Sequence, residues 1–532
     1  MLLEWSLPVA LYFLTSFWRS WVNSVVPEPY LDEVFHVRQA QAYCNGQWNV
    51  WDPKITTPPG LYAFSRLLAY FHAHCDVASL RRVNSLVHAT ATFLLVKKLY
   101  KLIQSPFEES GRSPKRPNQK LKPPSLLWGG SGLASHVSLN IFMFPVLFFF
   151  TALYYTDVLS TSSVLAAYAA FHAPSESSTK KPLMIVIFGA IALSFRQTNI
   201  FWVGVFLSGL EVVRTLKNLQ TKDYSWKASN DISEVVRRGW TSSEIYDVTI
   251  VEAEIEGERR AVDLIEGDKS NHIATIHVAQ MLYIWPYFVF FSIPLVYPYI
   301  IAALVPDKIL RAIPLQVPPR LRGLLVLRLY VVASFLFIIL GIIHFNTIIH
   351  PFTLADNRHF VFYIFRWIVL RWPLRYLAAP VYLICGWASI LALGKPINAS
   401  ENPSKPSTNP VKGDQRPSTQ SPDGNKVSFV IIWLVSTSLS LATAPLVEPR
   451  YFIIPWVIWR LHVPPPSPRD STLRPSAGVA LRWYQRLLST GRHQLWLESA
   501  WFLLVNVVVG YVFLFRGFTW PQEPGHTQRF LW

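Results

Sequence analysis

Residues 324–344 read LLVLRLYVVASFLFIILGIIH, a run in which Arg328 is the only charged side chain. A helix needs about 20 mostly apolar residues to cross the hydrocarbon core of a bilayer. The run therefore predicts a membrane-spanning helix. Comparable apolar runs recur along the chain, for example at residues 183–193, 201–210 and 502–515. Together these runs indicate a helical protein that crosses a membrane several times.

The composition agrees with a chain that has lipid as its main solvent. Of the 532 residues, 51% are apolar and only 15% are charged, whereas soluble domains carry about 25% charged residues. We therefore expect an all-α polytopic membrane protein with about 11–14 transmembrane helices. Residues 2–26 lack a basic leader and a small-residue cleavage site, so they predict a retained first span rather than a signal peptide.

The formal net charge of +17 does not indicate nucleic acid as a partner. The basic residues lie between apolar segments, and residues 97–122 carry eight Lys or Arg against two Glu. Such clusters are typical of cytoplasmic loops. Once topology accounts for them, no basic surface remains for nucleic acid.

Charge also predicts the side on which each loop lies. The acid-leaning residues 27–59 form the first non-cytoplasmic loop, and residues 344–366 are expected on the same side. Residues 212–272 are predicted to form a cytoplasmic loop, and the Pro- and Ser-rich residues 395–426 a disordered cytoplasmic linker. This assignment requires the Pro-containing residues 277–305 to form a tight hairpin of two short or broken helices rather than one span.

The first non-cytoplasmic loop contains YLDEVFHVRQAQAY at residues 30–43. If this stretch is helical, Asp32, His36, Gln39 and Tyr43 share one polar stripe, and Glu33 points elsewhere. A carboxylate beside a membrane-facing cavity can accept the proton of an attacking sugar hydroxyl, so Asp32 is the preferred general base.

Two other interpretations of this loop stay open. Asp32 can be a capping acid at the start of an interfacial helix, or Asp32, Glu33 and His36 can be metal ligands, although their spacing lacks the first His of the zinc-protease helix. Cys44 and Cys75 can form a disulfide only if both face an oxidising compartment.

Six strings, spread over nearly the whole chain and in the same order, carry a resemblance to a known family. The sequence resembles the dolichyl-phosphate-glucose-dependent alpha-1,2-glucosyltransferases, which add the last glucose to the lipid-linked oligosaccharide Glc2Man9GlcNAc2-PP-dolichol. The strings are YLDEVFHVRQAQAY with WDPKITTPPGLY at 51–62, ALYYTDVLS at 152–160, FRQTNI at 195–200, GDKSNH at 267–272, HPFTLADNRHF at 350–360 and EPRYF at 448–452.

The resemblance implies the type C (GT-C) glycosyltransferase architecture, a multi-pass location in the endoplasmic reticulum membrane and a luminal active site. It implies an inverting transfer of glucose from dolichyl beta-D-glucosyl phosphate to the 2-hydroxyl of the terminal glucose of the dolichol-linked acceptor. This is the final step in assembling the precursor for protein N-glycosylation. No cofactor is expected, a divalent metal is not excluded, and the sequence indicates no particular protein partner.

The chemistry of individual residues suggests candidate roles in this reaction. The catalytic group comprises Asp32, Glu33 and His36, with Asp32 as base. Guanidinium groups form paired hydrogen bonds with phosphate oxygens, so the candidates for binding the donor phosphate are residues with cationic side chains. They are Arg358, His359, Arg450 and Arg196. The candidates for binding the acceptor or a sugar are Gln39, Trp51, Asp52, Tyr155, Asp157, Asp356 and Asn357.

Structural alternatives accompany several of these roles. An Arg at a helix end often reaches lipid headgroups, aromatic side chains often form interfacial belts, and Asp356 is expected to pair with Arg358 in preference to contacting substrate. The string at 267–272 resembles a phosphate-binding turn, but the predicted topology makes it a cytoplasmic structural turn.

Two other functions compete with glucosyl transfer. A mannosyltransferase of the same architecture would share the spans and the acidic loop. A transporter would explain intramembrane polar residues without chemistry, but the chain lacks an internal inverted repeat and its acidic motif lies in a loop.

Overall fold

The computed structural model is almost entirely helical in the ranges that it describes. One short antiparallel pair of strands lies near the C-terminus of the described chain. The described residues are 2–71, 74–110, 130–173, 180–219, 276–304, 329–394, 425–444, 446–464, 493–521, 523 and 525–532.

The N-terminal part contains ten α-helices, several of which continue through short π-helical turns. A π-turn at His88–Thr92 joins α4 to α5, and another at Phe201–Phe206 leads into α10. The helices are α1 (Leu2–Val25), α2 (Glu33–Cys44), α3 (Gly60–Tyr70), α4 (Val77–Val87), α5 (Phe93–Ser110), α6 (Gly130–Phe142), α7 (Pro145–Phe149), α8 (Asp157–His172), α9 (Lys180–Phe195) and α10 (Leu207–Leu219).

The C-terminal part contributes nine more helices within the described ranges. Its two strands, β1 (Phe518–Thr519) and β2 (Thr527–Gln528), pair antiparallel after the last helix. The helices are α11 (Gln280–Leu304), α12 (Leu329–Asn346), α13 (Pro351–Ala355), α14 (Phe360–Ile364), α15 (Trp372–Leu377), α16 (Ala379–Leu391), α17 (Val427–Ala442), α18 (Ile453–His462) and α19 (His493–Phe515).

Several helices are long and apolar enough to cross a membrane. Four continuous candidates are found in the described ranges, and α6 with α7 forms a fifth, bent by 64° at a break. This confirms a helical, multi-pass membrane protein, while the total of about 11–14 spans stays a prediction because other helices are shorter or less apolar. The four candidates are Gln197–Lys217, Gln280–Ile301, Trp372–Leu391 and His493–Phe515.

The predicted hairpin at residues 277–305 is wrong, because α11 is one kinked helix with a single candidate span. Only Ser292 leaves the helical conformation, so the three prolines bend the helix without reversing it. Its first turn lies beside the ends of α17 and α12: His277 N–H donates to the Ala442 carbonyl at 2.8 Å and Ala279 N–H to Asn346 Oδ1 at 3.3 Å. One crossing, along α11, therefore starts near residues 442–446.

Three regional predictions lie wholly or mostly outside the described residues. The loop 212–272 is described only up to residue 219, the linker 395–426 only at residues 425 and 426, and the string 267–272 not at all. Their assigned sides and roles stay predictions.

An aromatic core holds the helices together around the proposed site. The rings of Phe144 and Trp456 stack with centroids 3.9 Å apart, which packs the break between α6 and α7 against α18. In the same core, Arg460 forms a buried ion pair with Glu498 at 2.7 Å, and Asn140 donates to the same carboxylate. Because α18 follows directly after the EPRYF segment, this packing fixes the position of Arg450.

Candidate active site

Asp32 lies at the N-terminus of α2, immediately after a backbone turn. Leu31 has a φ of 54°, in the left-handed region that branched residues rarely adopt. Asp32 occupies the N-cap position, but its side chain makes no capping hydrogen bond. The hydrogen bond that the capping alternative requires is therefore absent from the structure.

The neighbouring Glu33 has a different environment. Its carboxylate accepts hydrogen bonds from Arg81 at 2.6 and 2.9 Å and from the backbone N–H groups of Tyr154 at 2.5 Å and Tyr30 at 3.0 Å. The Glu33 and Arg81 side chains are both fully buried. This differs from the predicted catalytic role of Glu33, because both its oxygens accept hydrogen bonds from the scaffold and Glu33 lines neither of the two cavities described below.

Asp32 pairs instead with Arg450, which belongs to the EPRYF segment. Arg450 Nη2 lies 2.9 Å from Asp32 Oδ2, and its Nε donates to Glu448. The Asp32 side chain is 46% exposed, whereas that of Arg450 is 15% exposed. Burial would raise the pKa of the Asp32 carboxyl, but the charge and hydrogen bond of Arg450 outweigh it and hold that pKa below its ordinary 3.8. Asp32 is therefore ionised at neutral pH.

Asp32 and Arg450 border a first cavity of about 430 Å³. Its polar wall also includes Glu448 and the 356–359 segment. The remaining wall is apolar or aromatic, so the cavity can take a ligand with a charged head and an apolar tail. The apolar and aromatic lining includes Leu31, Val34, Phe35, Phe150, Tyr155, Phe352, Val361, Phe362, Leu446, Val447, Leu531 and Trp532.

The 356–359 segment brings a cation and an imidazole to this cavity. Arg358 donates to both carboxylate oxygens of Asp356, at 2.8 and 2.7 Å, and His359 Nε2 lies 3.7 Å from Oδ2. Burial would raise the pKa of Asp356, but the hydrogen bonds of Arg358 keep it below its ordinary value. The expected Asp356–Arg358 ion pair is present, and it orients Arg358 at the edge of the cavity.

A second cavity of about 420 Å³ is also lined by Asp32 and Arg450, which the two spaces share. Asp157 and Arg196 form an ion pair at 3.0 Å in its wall. Asp157 is only 2% exposed, and among the described residues neither carboxylate oxygen accepts a well-oriented hydrogen bond. The cavity is rich in hydroxyl groups, contributed by Thr56, Thr57, Thr156, Ser160, Thr161, Thr198, Ser440 and Thr443.

His36 lies one helical turn after Asp32 and also lines the second cavity. Its Nδ1 lies 2.7 Å from the hydroxyl oxygen of Tyr62. Burial lowers the pKa of His36 to about 4, although the charge of Asp32 partly opposes this. His36 is therefore neutral at pH 7 and serves as a hydrogen-bonding group rather than a cation.

Four of the predicted sugar-binding residues line neither cavity. Gln39 ties the following loop to α2, because its amide donates to the Val50 carbonyl at 2.7 Å and accepts from Asp52 N–H at 2.9 Å. Asp52 also accepts from Lys54 N–H, and Trp51 packs edge-on against Tyr62. Asn357 Oδ1 accepts from Trp520 at 2.9 Å. The structure gives these four side chains partners within the protein.

The remaining predicted residues converge. Asp32, His36, Asp157, Arg196 and Arg450 border the second cavity, and Asp32, Tyr155, Asp356, Arg358, His359 and Arg450 border the first. The segments around Asp32 and Asn357 are thus on the same side of the protein. Leu531 and Trp532 also line the first cavity. They could not be predicted from the sequence, because no local pattern marks them as binding residues.

The metal-ligand interpretation does not fit the first turn of α2. Glu33 is buried in an ion pair with Arg81, whereas Asp32 faces the cavities. Within the described ranges, no group of three His, Cys, Asp or Glu side chains is arranged to hold a metal ion.

Cys44 and Cys75 form a disulfide, which answers the question that the sequence left open. The bond joins the end of α2 to the residues just before α4, and Gln41 reinforces the link by donating to the Cys75 carbonyl at 3.1 Å. It therefore fixes the end of α2 to the start of α4.

Comparison with known families identifies the group to which these converging segments belong. The model of the DIE2/ALG10 family matches residues 26–255 and 262–461, which include all the motif segments that line the two cavities. The chain belongs to the DIE2/ALG10 family.

Relatives in this family match nearly end to end. The chain is 38% identical to the Dol-P-Glc:Glc(2)Man(9)GlcNAc(2)-PP-Dol alpha-1,2-glucosyltransferase of Emericella nidulans, over 98% of this chain and 96% of the relative. It is 36% identical to the Aspergillus fumigatus protein of the same name, with the same two coverages, and 27% identical to that of Arabidopsis thaliana, with 96% of each chain covered. No solved structure matches the chain.

Proposed function

We propose that this chain is an inverting glucosyltransferase that moves glucose from dolichyl beta-D-glucosyl phosphate to the 2-hydroxyl of the terminal glucose of the dolichol-linked oligosaccharide. Relatives that match along almost the whole chain carry this activity in their names. The observation that carries the proposal is the position of Asp32, an ionised carboxylate between two cavities of different chemistry.

The first cavity fits the donor. A dolichyl phosphate sugar has one anionic phosphate, a hexose and a long apolar chain. Arg358, His359 and Arg450 supply the cationic and hydrogen-bonding groups for the phosphate, and the apolar wall suits the isoprenoid next to it. Arg450 is shared by both cavities, so it lies where the bond to phosphate must break.

The second cavity fits the acceptor. Sugar hydroxyls need many hydrogen-bonding partners, and this cavity offers hydroxyl side chains together with the Asp157 carboxylate. Arg196 was expected at the donor phosphate, but its ion pair with Asp157 favours a role in orienting the acceptor.

The reaction needs one base and one stabilised leaving group. The 2-hydroxyl oxygen attacks the anomeric carbon, its proton passes to the Asp32 carboxylate, and the bond from that carbon to the phosphate oxygen breaks with both electrons going to the phosphate. Arg450 stabilises the charge that develops there. A single displacement converts the β-linked donor into an α-linked product.

We place the activity on the luminal side of the endoplasmic reticulum membrane. The Cys44–Cys75 disulfide lies in the same loop region as Asp32, and such bonds persist in oxidising compartments. The donor and acceptor named for the relatives are lipid-linked, which suits a site next to the bilayer.

The test is transfer by the purified full-length protein in detergent, supplied with a glucose-terminated acceptor and either dolichyl phosphate glucose or dolichyl phosphate mannose. We expect one α-1,2-linked glucose from the glucose donor alone. Asp32→Asn is nearly isosteric, so it should keep the melting temperature while turnover falls roughly 10²–10⁴-fold. Transfer of mannose would contradict the proposed donor, and full activity of Asp32→Asn would remove Asp32 as the base.

A further inference from the structure

The described C-terminal residues 518–521 and 525–532, which we call the C-terminal segment, lie along the loop that carries Arg358. Leu531 N–H donates to the Arg358 carbonyl at 3.0 Å, and Phe360 N–H donates to the Leu531 carbonyl at 3.2 Å. These bonds form a parallel bridge between His359 and Leu531. The segment thus holds the backbone of the loop on both sides of His359.

Side chains of the C-terminal segment also hold the groups that face the first cavity. Arg358 Nη1 donates to Gln528 Oε1 at 2.9 Å, and its guanidinium lies 4.6 Å from the ring centre of Trp520. His359 Nδ1 lies 3.1 Å from the backbone oxygen of Trp532. The orientation of Arg358 and His359 therefore depends on residues more than 160 positions away.

The same segment is anchored to the loop that carries Asp32. The hydroxyl of Tyr30 donates to the Arg529 carbonyl at 2.9 Å and lies 2.7 Å from Arg529 N. Arg529 in turn donates to the Leu514 carbonyl at 2.7 Å, at the end of α19. The C-terminal segment therefore connects the two loops that face each other across the first cavity.

Trp532 completes the wall of that cavity together with Leu531. Its ring packs edge-on against Phe360 and Phe291, with centroids 5.4 and 5.6 Å away. Its indole nitrogen is buried, and no described residue accepts its hydrogen bond. A buried donor without an acceptor is unfavourable, so an oxygen of a bound ligand is a suitable partner for it.

We propose that the C-terminal segment is part of the donor-binding site and that Trp532 contacts the polyprenyl phosphate directly. Its indole N–H donates to an oxygen of the phosphate, and its ring packs against the isoprene unit next to that phosphate. Gln528 is a positioning residue that acts through Arg358. This inference rests on the proposed function, because it assumes a lipid phosphate donor in the first cavity.

The test compares Trp532→Ala and Trp532→Phe in the full-length protein, with His526→Ala as a matched control. His526 lies in the same segment, but its side chain is exposed and lines neither cavity. We expect Trp532→Ala to raise the KM for the donor about tenfold, with the acceptor KM and the kcat at saturating donor unchanged. Trp532→Phe keeps the apolar contact and loses the N–H, so its donor KM should rise by only about threefold.

A structural role alone would give a different pattern. An unchanged donor KM in Trp532→Ala, or equal rises in the donor and acceptor KM, would overturn the proposal. If Trp532→Ala does not accumulate as folded protein, an unchanged donor KM in Trp532→Phe would overturn it as well.

A binding measurement separates this proposal from the proposed function. Dolichyl phosphate, which lacks the sugar, serves as the probe in an equilibrium assay on the purified protein. Weaker binding to Trp532→Ala than to His526→Ala supports the donor contact even if the unaltered protein transfers no glucose. Equal binding to both variants contradicts it.

Discussion

Two adjacent carboxylates at the start of α2 have opposite environments. Glu33 points into the scaffold, where Arg81 and two backbone N–H groups surround it and no exposed surface remains. Asp32 points into the space between two cavities, where Arg450 contacts it and nearly half of the side chain stays exposed. Both carboxylates pair with a guanidinium, so an ion pair does not by itself distinguish a structural acid from a catalytic one.

The difference lies in what else the two pairs can contact. The Arg81–Glu33 pair is saturated by protein partners, since Arg81 also donates to Asn23 Oδ1 at 3.0 Å and to the Val26 carbonyl at 2.7 Å. The Asp32–Arg450 pair faces both cavities and has room for ligands. A saturated pair fixes the backbone, whereas an accessible pair can exchange partners with substrate.

The largest expected effect concerns the buried pair. Glu33→Ala leaves Arg81 as an unpaired buried charge, which costs about 3–5 kcal/mol. We expect a clear loss of folded protein in detergent, measured by the melting temperature and by the yield of monodisperse protein. Any folded fraction should retain its turnover per molecule, because Glu33 lines neither cavity.

The matched control for this variant is Asp32→Ala, which removes the neighbouring and more exposed carboxylate. Its melting temperature should stay close to that of the unaltered protein while its turnover is lost. The opposite pattern, a stable but inactive Glu33→Ala and an active Asp32→Ala, would reverse the two roles.

A smaller effect is expected on the pH dependence of transfer when the accessible pair is broken. Protonated Asp32 cannot accept a proton, so activity falls as the pH drops through its pKa. That pKa lies below 3.8 while Arg450 is present, so Asp32 should not limit the rate between about pH 5 and pH 8. In Arg450→Met, burial remains without the opposing charge, so the pKa of Asp32 should rise and the acid limb should move to higher pH.

The measurement is kcat/KM for the donor from about pH 3 to pH 8, which includes the acid limb, for the unaltered protein and Arg450→Met. Arg450→Met also loses the contact with the leaving group, so its activity should be lower at every pH. The informative quantity is therefore the pH at which activity falls on the acid side. An acid limb at the same pH in both proteins would show that Asp32 is not the group that titrates.

Part of this arrangement follows from the sequence. Apolar runs of spanning length predicted a helical membrane protein. The helical period correctly placed Asp32 and His36 on one face of α2 and Glu33 on another. The same stripe placed Gln39 near substrate, but α2 runs away from the cavities and Gln39 instead ties down Val50 and Asp52. Helical periodicity assigns a face, and it does not say how far along that face a cavity extends.

Other features depend on contacts that no local pattern encodes. The loop sides assigned from charge required a hairpin at residues 277–305, but this segment forms one kinked helix with a single candidate span. The contact of Trp532 with the first cavity depends on backbone pairing between residues 359 and 531. Such pairing is long-range and follows no local motif, so it could not be predicted from the sequence.

The central claim, that Asp32 lies where both substrates meet, is tested most directly by thiol labelling. Asp32→Cys in a Cys385→Ser background presents one reactive thiol, because Cys44 and Cys75 are bonded to each other. Labelling with a small thiosulfonate reagent should be slowed by dolichyl phosphate alone and also by the acceptor oligosaccharide alone. Protection by only one of the two ligands, or by neither, would contradict the account.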